Sequence, residues 1–226
     1  MFNIIKKRIQ FYRSINFFQY LYLNYFCKSV VRTDNSRIIP YKNVIFDLSR
    51  DAKIFLGKGD IELGCDLLKR SKAETRVQLR DRAVWSNLGG CKISYGCTLE
   101  VLHDGMLDTN YFTMNSNSTI VAAKKITLEQ DVMISRNVLI YDSDFHSIID
   151  FKGNVKNYSE PVIIKKHVWI GANVIILKGV LIGQNTVIGA GSLVFSNVED
   201  DIIYKTGENI ITKNNDGTWN RKTPDR

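Results

Sequence analysis

Histidine is scarce in this chain: three in 226 residues, at His103, His146 and His167. No pair of them has the H-x4-H spacing from which a three-histidine zinc site draws its ligands, so that chemistry is excluded and no metal is expected. The four cysteines (Cys27, Cys65, Cys91, Cys97) form no C-x-x-C pair, which removes the common thiol metal and redox motifs. With no signal peptide in evidence, they fit a reducing, cytoplasmic setting. No run of about 20 apolar residues is present, so no helix is expected to span a bilayer. The net charge of +8 comes without a nucleic-acid motif, so no nucleic-acid partner is expected and the charge is left for an anionic membrane or an anionic small molecule.

What the chain has instead is a period. In "WIGANVIILKGVLIGQNTVIGAGSLV" the residues Ile170, Ile176, Ile182, Ile188 and Val194 stand six apart, and Val174, Val180, Thr186 and Ser192 repeat at the fourth place after each. A helix face repeats at three or four residues and a half-buried strand at two, so a period of six describes turns of a solenoid whose like residues stack in columns. Gly171, Gly183 and Gly189 follow the aliphatics directly, where a corner is expected to need an unusual backbone conformation. The same register runs upstream through Ala122, Leu128, Ile134 and Ile140, and in worn form from about Arg37. Cys91 and Cys97, also six apart, read as small residues stacked in the coil.

At 226 residues and 44% hydrophobic composition, one solenoid domain with caps is expected. Residues 1–36 form an aromatic, basic segment of one or two helices, which either packs on the open end of the solenoid or lies against a membrane surface as a peripheral contact. Residues 37–195 form the coil and 196–226 a closing segment. Between Tyr141 and Val162, "YDSDFHSIIDFKGNVKNYSEPV" puts His146, Lys152 and Tyr158 where the count by sixes calls for aliphatics, before Ile164 restores the pattern. This loop excursion is long for a compact domain and is the functional candidate.

These residues resemble the hexapeptide-repeat acyltransferases, and more narrowly the sugar and polysaccharide O-acetyltransferases of capsule and exopolysaccharide pathways. The family's loop motif D-x-D-x-H reappears as "DSDFH", and "HVWIG" appears at His167 to Gly171. The resemblance implies an all-β solenoid, specifically a left-handed parallel β-helix with three hexads per coil. It also implies a homotrimer with sites between subunits, acetyl-CoA as co-substrate, and a sugar or polysaccharide hydroxyl as acceptor. The family's closing Gly-x-Pro-Ala turn is replaced here by "TGENI", without its proline.

Acyl transfer to a hydroxyl needs a base. The resemblance assigns that role to His146, with Asp144 preferred over Asp142 as the carboxylate that orients it, and Asp142 as a substrate contact. It gives Trp169 a place lining the acceptor and CoA site. Ala172 and Ala190, one full coil apart, would contact the pantetheine arm of CoA through their backbone groups. Two other readings stay open on the same fold: an amino-sugar N-acetyltransferase, and a non-catalytic scaffold of the glycan machinery.

Overall fold

The computed structural model describes residues 14–205, 212–213, 219 and 221. Through them the chain winds as a left-handed parallel β-helix, each coil giving one short strand to each of three parallel sheets. The columns expected from the period are present. Leu128, Ile164 and Ile182 are register partners in the first sheet, Ile134, Ile170 and Ile188 in the second, and Ile140, Ile176 and Val194 in the third. All nine are buried, so every hexad contributes one aliphatic to a continuous core.

The corners explain the rest of the hexad. Asp131, Asn137, His167, Asn173 and Asn185 have φ between 55° and 66°, and Gly179 and Gly191 have φ of 76° and 74°. Each directly precedes a buried small or branched residue such as Val132, Val174 or Ser192. Short polar side chains tolerate this left-handed conformation and glycine adopts it freely. The glycines after the aliphatics are therefore needed for a different reason from the one expected. Gly171 and Gly183 are absent from the positive-φ positions, but a Cβ on Gly171 would lie 2.6 Å from the backbone nitrogen of Ala190, and one on Gly183 2.4 Å from that of Asp200. They are fixed by how closely successive coils approach.

The early coils are longer. Val30, Ile54, Trp85 and Leu107 are successive partners in the first sheet, at unequal intervals that all exceed the step from Ile164 to Ile182. Extra corner residues break the period there, and the coil begins at Val30, ahead of the boundary expected at Arg37. Trp85 and Phe112 fill this part of the core. The indole Nε1 of Trp85 donates to Thr109 Oγ1 at 3.1 Å, which satisfies a polar group deep in the coil. Cys65 and Cys97 face inward, and desolvation pushes their thiols up to about 12 and about 11, the opposite of what a nucleophile needs.

The open N-terminal end is plugged by a helix α1 (Phe17–Leu21), N-capped by Asn16, and a π-helical turn over Tyr22–Phe26. Leu23 is buried against the first coil. Asn24 takes the place of a missing strand: its Nδ2 donates to Ile38 O at 2.7 Å and its Oδ1 accepts from Ile38 N at 3.0 Å. An edge that would otherwise present unpaired backbone groups is thereby satisfied. At the other end Ile202–Tyr204 extends the second sheet beyond Val187–Ile188. The "TGENI" turn, residues 206–210, lies outside the described residues.

Candidate active site

The excursion leaves the strand Leu139–Tyr141 and rejoins the coil at Val162–Ile164. From Ile140 to Ile164 the chain advances by four hexads where the coil needs one, so the insertion equals three hexads, a whole coil's length, and the phase of the repeat survives it. Its first residue inside the coil is Asp142, which is fully buried. The Asp142 carboxylate accepts from the backbone N–H groups of Ala123, Lys124 and Lys125 at 2.7, 2.8 and 2.6 Å. Asp142, expected as a substrate contact, thus spends both carboxylate oxygens on three amides of the preceding coil and acts there as a structural clamp.

Beyond Asp142 the loop organises itself. Ile149 and Val155 form an antiparallel bridge. Asp150 accepts from Lys152 N and Asn154 N and pairs with Lys156, and these bonds, the backbone N–H of Asn154 foremost, hold its carboxyl at about 2. Asn157 ties the active half to this hairpin, donating through Nδ2 to Asp144 Oδ2 and to the carbonyl of His146, both at 2.8 Å. The Asp144 carboxylate meets Lys178 Nζ at 2.5 Å, and the bonds from Lys178 and Asn157 lower its pKa. Asp144 therefore anchors the loop to the coil through Lys178, and no hydrogen bond joins it to the His146 ring.

His146 itself stands exposed in a hollow of about 230 Å³ lined with Ser143, Phe145, Ser147 and Tyr158. Its neighbour Phe145 has φ of 61°. A bulky side chain in that region costs about 1–3 kcal/mol and persists only where the surroundings impose it. Ser143 helps to impose it: its hydroxyl accepts from Phe145 N at 3.0 Å and is bonded to Ser159 Oγ at 2.9 Å.

A second cluster sits on the second sheet. Trp169 points outward, 37% exposed, and its Nε1 donates to Ser135 Oγ at 3.2 Å. Beside it, at 6.2 Å between centroids, lies Trp219, returned by the closing segment. Trp219 stacks on His167 and donates through Nε1 to its carbonyl at 2.9 Å. His167 Nδ1 lies 2.6 Å from Asp131 Oδ2 and its Nε2 lies 3.1 Å from the carbonyl of Trp219. Both ring nitrogens face oxygen atoms. Arg221 closes the cluster, with Nε 2.6 Å from Asp131 Oδ1. Burial raises the Asp131 pKa, but the hydrogen bonds from His167 and Arg221 outweigh it and leave the carboxyl below its ordinary value.

The three histidines are thereby distinguished. His167 is committed on both nitrogens, and His103 is held by Arg82 at 2.6 Å and by Asp104. Among the described residues the His146 ring makes no hydrogen bond. Among the described residues no hydrogen bond or ring contact joins His146, in the excursion, to Trp169, on the second sheet.

Ala172 and Ala190 do stack: Gly191 N donates to Ala172 O at 2.8 Å, and Ala190 covers Gly171. Their own N–H groups donate to nothing among the described residues. Arg136 occupies the same corner one coil earlier, since Ile134, Ile170 and Ile188 are in register, and its exposed guanidinium has no carboxylate partner among the described residues.

Sequence reasoning missed Lys178, Asn157, Arg136, Asp131, Trp219 and Arg221. Asp131 was within reach, because it precedes His167 by six hexads, three of them the length of the excursion, and so stands at the same corner one coil earlier. Trp219 and Arg221 lie outside the repeat and leave no periodic trace.

Comparison with known proteins agrees with the repeat and the fold. A family model described as bacterial transferase hexapeptide (six repeats) matches residues 161–196. A polysialic acid O-acetyltransferase of Escherichia coli O1:K1 / APEC is 39% identical over 64 residues, which span 27% of this chain and only 21% of that protein. The crystal structure of the polySia specific acetyltransferase NeuO superposes with a TM-score of 0.54 at 25% identity, covering 88% of this chain and 85% of the other. The polysialic acid O-acetyltransferase OatWY shares the fold, with a TM-score of 0.51 at 24% identity over 83% and 91% of the two chains. The protein carries the bacterial hexapeptide transferase repeat and resembles the polysaccharide O-acetyltransferases built on it.

Proposed function

We propose that the protein transfers an acetyl group from acetyl-CoA to a hydroxyl of a sugar or polysaccharide, in the making of a capsule or other cell-surface glycan. The observation that carries this reading is the imidazole of His146: among the described residues it is the one histidine ring that makes no hydrogen bond, on a strained loop fixed to the coil by Asp144 and Lys178. The similarity to polysialic acid O-acetyltransferases supports oxygen as the acceptor atom and a polysaccharide as the acceptor class.

In this reaction His146 removes the proton of the acceptor hydroxyl as its oxygen attacks the thioester carbonyl carbon. A backbone N–H stabilises the oxyanion, the C–S bond breaks, and the proton held by His146 passes to the departing thiolate. Both substrates are present together and no acyl-enzyme forms, in keeping with inward-facing, high-pKa thiols. The N–H groups of Ala172 and Ala190 receive the amide carbonyls of the pantetheine arm, and Arg136 at the same corner supplies positive charge for the CoA phosphates.

The site is completed in a homotrimer, as the resemblance implies, the excursion of one subunit reaching the Trp169 face of the next. The test is to supply acetyl-CoA with a panel of oligosaccharides and polysaccharides, sialic acid polymers included. Thiol release and the mass and position of the new acetyl group are then followed. Acceptor-dependent thiol release with an O-linked acetyl is expected. Acetylation only of amino sugars would overturn the choice of acceptor, and CoA binding without turnover would make the protein a scaffold.

A further inference from the structure

We infer that the N-terminal end of the solenoid docks on an anionic membrane surface. The inner side of this segment is spent on capping, through Leu23 and Asn24. Its outer side carries Phe17, Phe18, Tyr22, Tyr25 and Phe26, with Phe18 84% and Phe26 72% exposed. Beside them a groove of about 620 Å³ separates the segment from the first coil, and it is lined by Tyr22 and Phe26 together with Lys28, Arg50 and Lys53. No carboxylate lines it, and among the described residues none of the three cations is paired with one.

The sequence carries the same bias further. The first acidic residue of the chain is Asp34, while Lys6, Lys7, Arg8, Arg13, Lys28 and Arg32 precede it, so the first 33 residues of the sequence carry six of the net eight positive charges.

Two chemistries on one face select the occupant. Cations alone would suit any polyanion, but a water-soluble polyanion leaves the phenylalanine rings in water. A second copy of this chain would bring like charges together. An anionic bilayer takes both: rings enter the boundary between headgroups and acyl chains, and ammonium and guanidinium groups meet lipid phosphates. No helix among the described residues is long and apolar enough to cross a membrane, so the contact is one of surface docking. The strand bearing Trp169 is five coil steps from the first strand of the second sheet, so the docked end lies roughly 24 Å from it at about 4.8 Å per step. This inference does not depend on the acyl-transfer reading.

The experiment is sedimentation of the full chain with large vesicles of phosphatidylcholine, with and without phosphatidylglycerol, at low and high salt. Binding to the phosphatidylglycerol vesicles that weakens with salt is expected. F18S/Y22S/F26S and K28E/R50E/K53E, all exposed or at the groove rim and outside the sealed core, should each reduce partitioning by about tenfold or more. Their thermal melting should match the parent, and if the aromatic variant fails to fold, the charge variant decides. Absence of binding to anionic vesicles overturns the inference, as does binding that neither variant changes. Binding to dextran sulfate without binding to vesicles assigns the face to a soluble polyanion and overturns it too. A change of oligomeric state in the aromatic variant, with vesicle binding intact, assigns it to a second copy.

Discussion

The imidazole of His167 lies flat on the indole of Trp219, centroids 4.1 Å apart and planes 8° from parallel, although the two are 52 residues apart in sequence. This stack, with Asp131 and Arg221, latches the closing segment onto the sheet that carries Trp169.

The latch should be acid-labile. The Asp131 carboxyl sits below its ordinary value in the folded chain, so its contribution is complete above the unfolded pKa of about 3.9 and is lost as pH falls through the folded one. In a Trp169→Phe background, Trp219 emission should shift to the red below about pH 4 before the coil melts. Asp131→Asn should show the shifted emission at neutral pH. An emission maximum independent of both pH and Asp131 would mean that the latch contributes nothing.

Glycines of the two kinds should respond differently to alanine. Gly171→Ala puts a methyl group against the backbone of the next coil, an overpacking worth about 1–3 kcal/mol. Gly191 has nothing within 4 Å of its Cβ position, so Gly191→Ala meets only the left-handed backbone, worth roughly 1 kcal/mol. Denaturant unfolding should rank Gly171→Ala as the more destabilised. The reverse order would contradict the close-approach explanation.

Asp142→Ala should destabilise the coil by about 3 kcal/mol or more, since each of three amides left without an acceptor costs about 1–3 kcal/mol. That is a fall in Tm of roughly 6–12 °C for a chain of this size. Asp144→Ala removes an exposed anchor, so it should leave Tm nearly unchanged and lower turnover by loosening the loop. Equal effects on Tm would contradict the division of roles between the two aspartates.

Much of this was legible in the sequence. The columns from Leu128 to Val194, the excursion and the small residues at the corners follow from counting by sixes, because a coil of three equal hexads repeats itself strictly. The early coils were blurred because the unequal steps from Val30 to Ile54, Trp85 and Leu107 share no common phase. The two aspartates of "DSDFH" could not be told apart, because Asp142 keeps a place in the coil while Asp144 falls just outside it, and periodicity is silent on where a loop side chain turns. The latch was invisible because stacking of His167 on Trp219 depends on a chain reversal that no repeat records.

If the excursion of one subunit completes the Trp169 face of the next, two inactive variants should rescue each other. Mixed oligomers of His146→Ala and Trp169→Ala chains, formed by co-expression, should regain activity well above either parent, because some interfaces pair two intact halves. Mixtures as inactive as the parents, with co-assembly demonstrated, would place the site within one chain.

The most direct measurement is kcat for acetyl-CoA-dependent thiol release by His146→Ala, with an acceptor identified and both substrates saturating. A positioned base contributes about 10²–10⁴-fold, so kcat should fall by that factor, equivalent to about 3–5 kcal/mol, with Tm and CoA affinity close to the parent. A His146→Ala chain that turns over at the parental rate would contradict the assignment.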